Sequence, residues 1–293
     1  MKKLFSALVV LGITLSAVPT LAADKIKVVA SFSILGNMVK QVTGDLADVT
    51  TIVGPDADAH VYTPNTADAK AVADANVIFV NGLGFETWSQ TLIENSGAKA
   101  EVFVATEGVT PVKVDGETDP HAWNNLTNGV IYVKNIAKHM AETDPANATI
   151  YEKNAKAYST KLIALHQRAL DAFSTLSDGQ KTVVTAHDAF GYLAEGYGLT
   201  FLAPVGIDTE AEPSAKEIAK LIAHLKQVGA GALFVENIAS PTLIEQISRE
   251  TGIKIGGQLY SDALSKRGGP ATSYEKMFEH NLNTLIQTLG KSS

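Results

Sequence analysis

The side chains of this chain that could bind a metal or move a proton are seven histidines and 31 aspartates and glutamates; it contains no cysteine. Without thiols it has no disulfides, thiolate metal sites, iron–sulfur clusters or cysteine nucleophiles, and only oxygen and nitrogen chemistry remains. Four histidines, His139, His166, His224 and His280, sit inside helical patterns among polar neighbours. A surface or half-buried helix position accounts for each of them. The other three differ, because each falls at a strand end or in a loop, where an α/β fold gathers its ligands. His60 closes Gly54-Pro55-Asp56-Ala57-Asp58-Ala59-His60, His121 closes Asp115-Gly116-Glu117-Thr118-Asp119-Pro120-His121, and His187 follows Val183-Val184-Thr185-Ala186. A carboxylate in a similar position, Asp262, follows Leu259-Tyr260-Ser261. Successive members of this set lie about two βα units apart, so only the tertiary fold could bring them together. Three imidazoles and one carboxylate would then close a tetrahedral shell for Zn2+, with nitrogen at about 2.0–2.1 Å and oxygen at about 2.0–2.2 Å from the ion. Imidazole suits other late first-row metals as well, and Mn2+ tolerates a more oxygen-rich shell. The competing reading of each histidine is a hydrogen-bonded structural residue.

The elements that must position these groups alternate in type. From Ile26 onward, short apolar runs are interleaved with helical patterns, which predicts an α/β chain of βα units around mostly parallel sheets. Strands are expected at Ile26 to Ala30, Val49 to Val53, Val77 to Val80 and Glu101 to Ala105, and again at Thr182 to Thr185, Thr200 to Ala203, Leu233 to Val235 and Lys254 to Leu259. Helix starts are marked by Asn65-Thr66-Ala67-Asp68, Pro213-Ser214 and Ser240-Pro241. Further helices are expected near Asp188 to Tyr197, Pro213 to Val228 and Pro241 to Thr251. Between the two sets, Tyr151, Ala155, Tyr158, Leu162, Leu165, Ala169, Ala172 and Leu176 step by four and three with no glycine or proline before Gly179. Some 30 residues of helix reach about 45 Å, enough to cross from one lobe to another. Two consecutive helices broken near Asp171 or Ser174 are the alternative. The expected plan is a signal peptide at 1–23, an N-terminal α/β lobe at 24–145, a linking helix at 146–178 and a C-terminal α/β lobe at 179–293.

The 293 residues, 45% hydrophobic and 19% charged with a formal net charge of -7, suit two lobes each able to bury a core. An acidic balance without a dense Lys/Arg run argues against a nucleic-acid partner. The first residues have their own grammar: Lys2 and Lys3, an apolar run from Leu4 to Val18, then Thr20-Leu21-Ala22-Ala23 before Asp24. That is the form of a secretory signal peptide cleaved after Ala22 or Ala23, with a run shorter than the roughly 20 residues of a bilayer span. With no cysteine for a lipid anchor, the expected mature protein is soluble in a Gram-negative periplasm.

Several local sequences resemble one family: Asp58-Ala59-His60-Val61-Tyr62-Thr63-Pro64, Asn81-Gly82-Leu83-Gly84-Phe85-Glu86-Thr87-Trp88, Asp119-Pro120-His121-Ala122-Trp123, Ala186-His187-Asp188-Ala189-Phe190-Gly191-Tyr192-Leu193, Phe234-Val235-Glu236 and Tyr260-Ser261-Asp262-Ala263-Leu264-Ser265. Together they resemble the periplasmic receptors of zinc and manganese ABC importers, over essentially the whole mature chain. The resemblance implies two Rossmann-like lobes joined by one long rigid helix, with a single metal held in the cleft by His60, His121, His187 and Asp262. It implies a transport receptor rather than an enzyme, with Zn2+ as cargo and Mn2+ or iron as alternatives. The implied partners are an inner-membrane permease with its cytoplasmic ATPase, with a periplasmic metallochaperone as a further candidate and a monomeric receptor. Candidates to hold the rings in one tautomer are Asp58, Asp119, Asp188 and Glu236. Two features depart from parts of the family. Many zinc-specific members carry a His-rich acidic loop before the second ligand, whereas Glu107 to Pro120 contains no histidine. Manganese-selective relatives tend to place Glu where His187 stands, so His187 favours zinc. A periplasmic zinc hydrolase with Asp262 as general base, or a scaffold with structural metal, would be the rival readings.

Overall fold

The computed structural model describes residues 25–114 and 116–290. The expected signal peptide lies outside the described residues, as does Asp115. Strands β1 (Ile26–Phe32), β2 (Ala47–Val53), β3 (Val77–Val80) and β4 (Glu101–Val104) form one sheet in the order β2-β1-β3-β4, parallel throughout. A two-stranded antiparallel hairpin, β5 (Lys113–Val114) and β6 (Glu117–Thr118), follows. The second sheet contains β7 (Thr182–Val184), β8 (Thr200–Leu202), β9 (Ala232–Glu236) and β10 (Ile255–Leu259) in the order β10-β9-β7-β8, again all parallel. The fold is thus mixed α/β with two four-stranded parallel sheets. Central strands such as β1 are apolar on both faces because helices cover both, which is why they read as continuous apolar runs.

Parallel neighbours need crossover helices. In the first sheet these are α1 (Ser33–Thr43), α2 (Thr66–Ala73) and α3 (Ser89–Ser96). Right-handed crossovers running outward in opposite directions place α1 on one face and α2 with α3 on the other. Asn65 caps α2 by accepting from the Ala67 amide at 2.8 Å, while the Asp68 carboxylate accepts from the Asn65 amide at 2.8 Å and from the Tyr62 hydroxyl at 2.8 Å. That cap pins the loop carrying His60. In the second sheet α6 (Gly191–Tyr197), α7 (Ala215–Val228) and α8 (Thr242–Thr251) link the strands, and α9 (Tyr274–Leu289) ends the described chain.

Two long helices, α4 (Leu126–Thr143) and α5 (Ala148–Ser174), pack on each other and on α1. α5 runs unbroken through Asp171 for 27 residues, about 40 Å, and ends at Ser174. Its buried stripe is Tyr151, Ala155, Tyr158, Ser159, Leu162, Leu165, Ala169 and Phe173. The N-terminal part joins the core of the first sheet; near its other end His166 Nδ1 lies 2.9 Å from the Tyr197 hydroxyl of α6, and Arg168 pairs with Glu279 of α9 at 2.9 Å. One large apolar cluster runs through the first sheet, α4, α5, α6 and α9, and a smaller one fills the space between β7, β9, α7 and α8. The expectation of a helix-surface position fails for His139. Its ring is buried, stacked on Phe103 of β4 at a centroid distance of 3.9 Å, with Nδ1 3.0 Å from Glu142. An aromatic residue on a sheet edge, remote in sequence, roofs a position whose sequence neighbours are polar.

Candidate metal centre

All four proposed ligands leave the carboxyl ends of strands or the loops that follow them. His60 follows β2, His187 follows β7 and Asp262 follows β10, while His121 lies between β6 and the 3-10 turn Ala122–Asn124. In parallel sheets the strand ends on one side form the crevice where ligands collect. Here the two sheets turn those ends toward one another. His60, His121, His187 and Asp262 are all buried, and their ligand atoms lie within 4.8 Å of one another. His60 Nε2 stands 3.1 Å from His121 Nε2 and 3.3 Å from Asp262 Oδ2; His187 Nε2 is 3.2 Å from the same oxygen, and His121 Nε2 is 3.7 Å from Asp262 Oδ1. Donors tetrahedrally placed around Zn2+ at its usual bond lengths stand about 3.3–3.4 Å apart. The pairs at 3.1–3.3 Å therefore have the spacing of donors aimed at one small ion, and the whole set of ligand atoms lies within 4.8 Å.

Two of the outer nitrogens face carboxylates. Asp119 Oδ1 lies 2.7 Å from His121 Nδ1 and also accepts from the His121 amide at 2.9 Å. Glu236 Oε2 lies 2.7 Å from His187 Nδ1, while Oε1 of the same side chain accepts from the Ala186 and His187 amides at 2.7 and 2.9 Å. A carboxylate beside Nδ1 favours a proton there and leaves the Nε2 lone pair for a metal. The His187–Glu236 pair straddles the gap between β7 and β9, where the strand order of the second sheet reverses. Asp58 acts on His60 through the backbone: its Oδ1 accepts from the His60 amide at 2.8 Å, and its Oδ2 accepts from the Thr209 hydroxyl at 2.7 Å. Asp188 lines a separate 310 Å3 cavity with Glu117 and Glu217. Of the four tautomer-holding candidates, the structure thus sets Asp119 and Glu236 against ligand rings.

Burial works against the His187 imidazolium, yet the Glu236 and Asp262 carboxylates outweigh it and hold its pKa well above the ordinary histidine value. Burial likewise works against an ionised Asp262, and the His121 and His187 rings overcome that, keeping its carboxyl well below the usual range. Two adjacent residues without a role assigned from the sequence lie behind His60 and in the loop that follows β3. Phe85 packs edge-on against His60 at a centroid distance of 4.8 Å, and Glu86 accepts from the Ser31 hydroxyl and from the Asn81 amide at 2.6 Å. Burial pushes the Glu86 carboxyl up, opposed by these donors. Gly191 has no room for a side chain, since a Cβ would stand 2.4 Å from Asp119 Oδ2. A 490 Å3 cavity lined by Asp58, His187, Thr209 and Glu212 borders the site on the side of the second sheet.

The sequence model of one family, described as zinc-uptake complex component A, periplasmic (ZnuA), matches residues 28–288. The iron ABC transporter substrate-binding lipoprotein MtsA of Streptococcus pyogenes serotype M1 is 36% identical over 283 residues, which is 93% of this chain and 91% of that protein. The manganese ABC transporter substrate-binding lipoprotein PsaA of Streptococcus mitis is 35% identical over 281 residues, 92% of this chain and 91% of that one. Among solved structures, the periplasmic zinc binding protein TroA of Treponema pallidum superposes with a TM-score of 0.87 at 26% identity, covering 91% of this chain and 99% of that chain.

Proposed function

The chain belongs to the family of the periplasmic component A of zinc-uptake complexes, substrate-binding receptors of ABC metal importers and not enzymes, and on that premise we propose that it is a periplasmic receptor for Zn2+. In this reading His60, His121, His187 and Asp262 take the ion, and the receptor hands it to an inner-membrane permease driven by a cytoplasmic ATPase. The observation that carries it is the spacing of one carboxylate and three imidazole donors, 3.1–3.7 Å for the pairs given above. Three neutral nitrogens and one anionic oxygen suit Zn2+ better than Mn2+, which takes more oxygen donors. The Asp262 oxygens stand 3.2–3.7 Å from the three imidazole nitrogens, only slightly farther than the 3.1 Å between the His60 and His121 nitrogens. That favours a closed four-donor set over a hydrolase with an open position and Asp262 acting as base behind a bound water. Relatives named for iron and manganese make those ions the competing cargoes.

The sequence has no cysteine to carry a lipid, so the receptor is read as freely diffusing, whereas the relatives are named lipoproteins; it is further read as a monomer. No described helix is long and apolar enough to cross a membrane. The test is competitive titration of the mature protein with Zn2+, Mn2+ and Fe2+, comparing wild type with His187→Ala and Asp262→Ala. Zn2+ is expected to bind tightest, and each substitution is expected to weaken it at least tenfold. Unchanged Zn2+ binding in both variants would refute the site, and preference for Mn2+ at matched free concentrations would refute the metal.

A further inference from the structure

The donors that converge come from opposite halves of the chain, and one short segment reaches toward both of the distant ones. Directly after His121, the 3-10 turn Ala122–Asn124 is fully buried. Trp123 sends its indole N–H 138 residues along the sequence to the carbonyl of Ser261 at 2.7 Å, the residue before Asp262. The Trp123 carbonyl in turn accepts from the Tyr274 hydroxyl at 2.5 Å. Asn124 sends its side-chain amide to the carbonyl of Ala189 at 2.9 Å. Ala189 closes a tight turn with His187, its amide donating to the His187 carbonyl at 3.1 Å. The turn is itself closed on His121, whose carbonyl accepts from the Asn124 amide at 3.1 Å. Within the four consecutive positions 121–124, His121 is one donor while Trp123 and Asn124 grip the loops of two others.

We propose that the turn is the positioning device of the metal centre, with Trp123 as the positioning residue for Asp262 and Asn124 as the positioning residue for His187. This rests on the zinc reading above. The physical reason is orientation. A buried carbonyl held by one well-aligned donor has few alternative places to go, because moving it leaves two polar groups unpaired in an apolar interior. Pinning the carbonyl one residue before Asp262 and the one two residues after His187, in a turn closed on the His187 carbonyl, fixes where each side chain starts. Neither Trp123 nor Asn124 touches the ion in this scheme; each acts through the ligand loop it grips.

The test is a set of crossed substitutions on the full mature protein. Trp123→Phe and Asn124→Ala are made alone and in combination with His187→Ala and with Asp262→Ala. Asn124→Asp, of equal volume but unable to donate when ionised, serves as the second variant should Asn124→Ala fold poorly. Zn2+ affinity is read by chelator competition, Co2+ coordination by its visible absorption, and metal-free stability by thermal melting. Each single variant is expected to lose about tenfold or more in Zn2+ affinity and to lose tetrahedral Co2+ absorption. Asn124→Ala is expected to add nothing once His187 is gone while keeping its full effect in the Asp262→Ala background, and Trp123→Phe should show the reverse pattern. Equal losses in both backgrounds, or an unchanged Co2+ spectrum in the single variants, would overturn the assignment. Wild-type protein that binds neither ion would overturn the zinc reading and this inference with it, whereas wild-type binding with unaffected variants overturns the inference alone.

Discussion

At the scale of single residues, the proposed metal centre would be a competition between protons and an ion for the same nitrogens. His187 shows this most sharply, because the Glu236 and Asp262 carboxylates raise its pKa above that of the unfolded chain, near 6.5. In the metal-free protein its charged form therefore contributes stability that is complete below about pH 6.5 and is lost as pH rises through the folded value. The Asp262 contribution, from a lowered pKa, is present above about pH 3.9 and lost only as pH falls through a still lower value, so it is constant over the neutral range. Zn2+ needs the neutral ring, so its binding strengthens over the interval in which the metal-free protein loses its His187 term. The expected result in melting curves from pH 6 to 9 is a metal-free Tm that declines with pH and a Zn2+-induced rise that grows. His187→Gln should flatten the metal-free decline; the same slope in wild type and variant would show that another group governs it.

At the scale of elements, α5 stabilises through its buried stripe and not through its charges. Leu162, fully buried at the middle of that stripe, is expected to cost about 2–5 kcal/mol when replaced by alanine. Arg168→Ala removes the exposed pair with Glu279, at side-chain exposures of 59% and 37%, and should cost no more than about 1 kcal/mol. Urea unfolding of the metal-free protein separates the two, and comparable losses would contradict this account. The same contrast explains what could be read from the sequence. Strand positions were legible because parallel strands covered on both faces are unbroken apolar runs, and His60, His187 and Asp262 stood out because each closes or follows such a run. α5 was legible from its four-and-three stepping. The carboxylate partner of His187 was not: Asp188 is adjacent in sequence, but Glu236, 49 residues away, faces the ring across the strand-order reversal of the sheet. Strand pairing order decides that, and local pattern carries little of it. The β5–β6 hairpin has two residues per strand, too few to leave a periodicity. His139 looked solvated because the residue that covers it, Phe103, belongs to another element.

At the scale of the whole molecule, the cores do not depend on the ion. The apolar clusters around the two sheets are built from side chains that need no ion to pack, so the metal-free protein is expected to stay folded by far-UV circular dichroism. Saturating Zn2+ should then add stability by mass action, about 2.7 kcal/mol at a free concentration one hundred times the Kd. A metal-free protein lacking secondary structure would point instead to a structural ion. The donors are also far apart along the chain, with a separation of 61 positions from His60 to His121 and 75 from His187 to Asp262. The chain thus supplies its donors one at a time along its length, and Asp262 comes only after nearly all of it. The four-donor set is complete only where both sheets have formed and met, since His60 follows β2 while His187 and Asp262 follow strands of the second sheet. Cargo capture becomes a certificate of completed folding: a receptor that is loaded is one whose two sheets have already met.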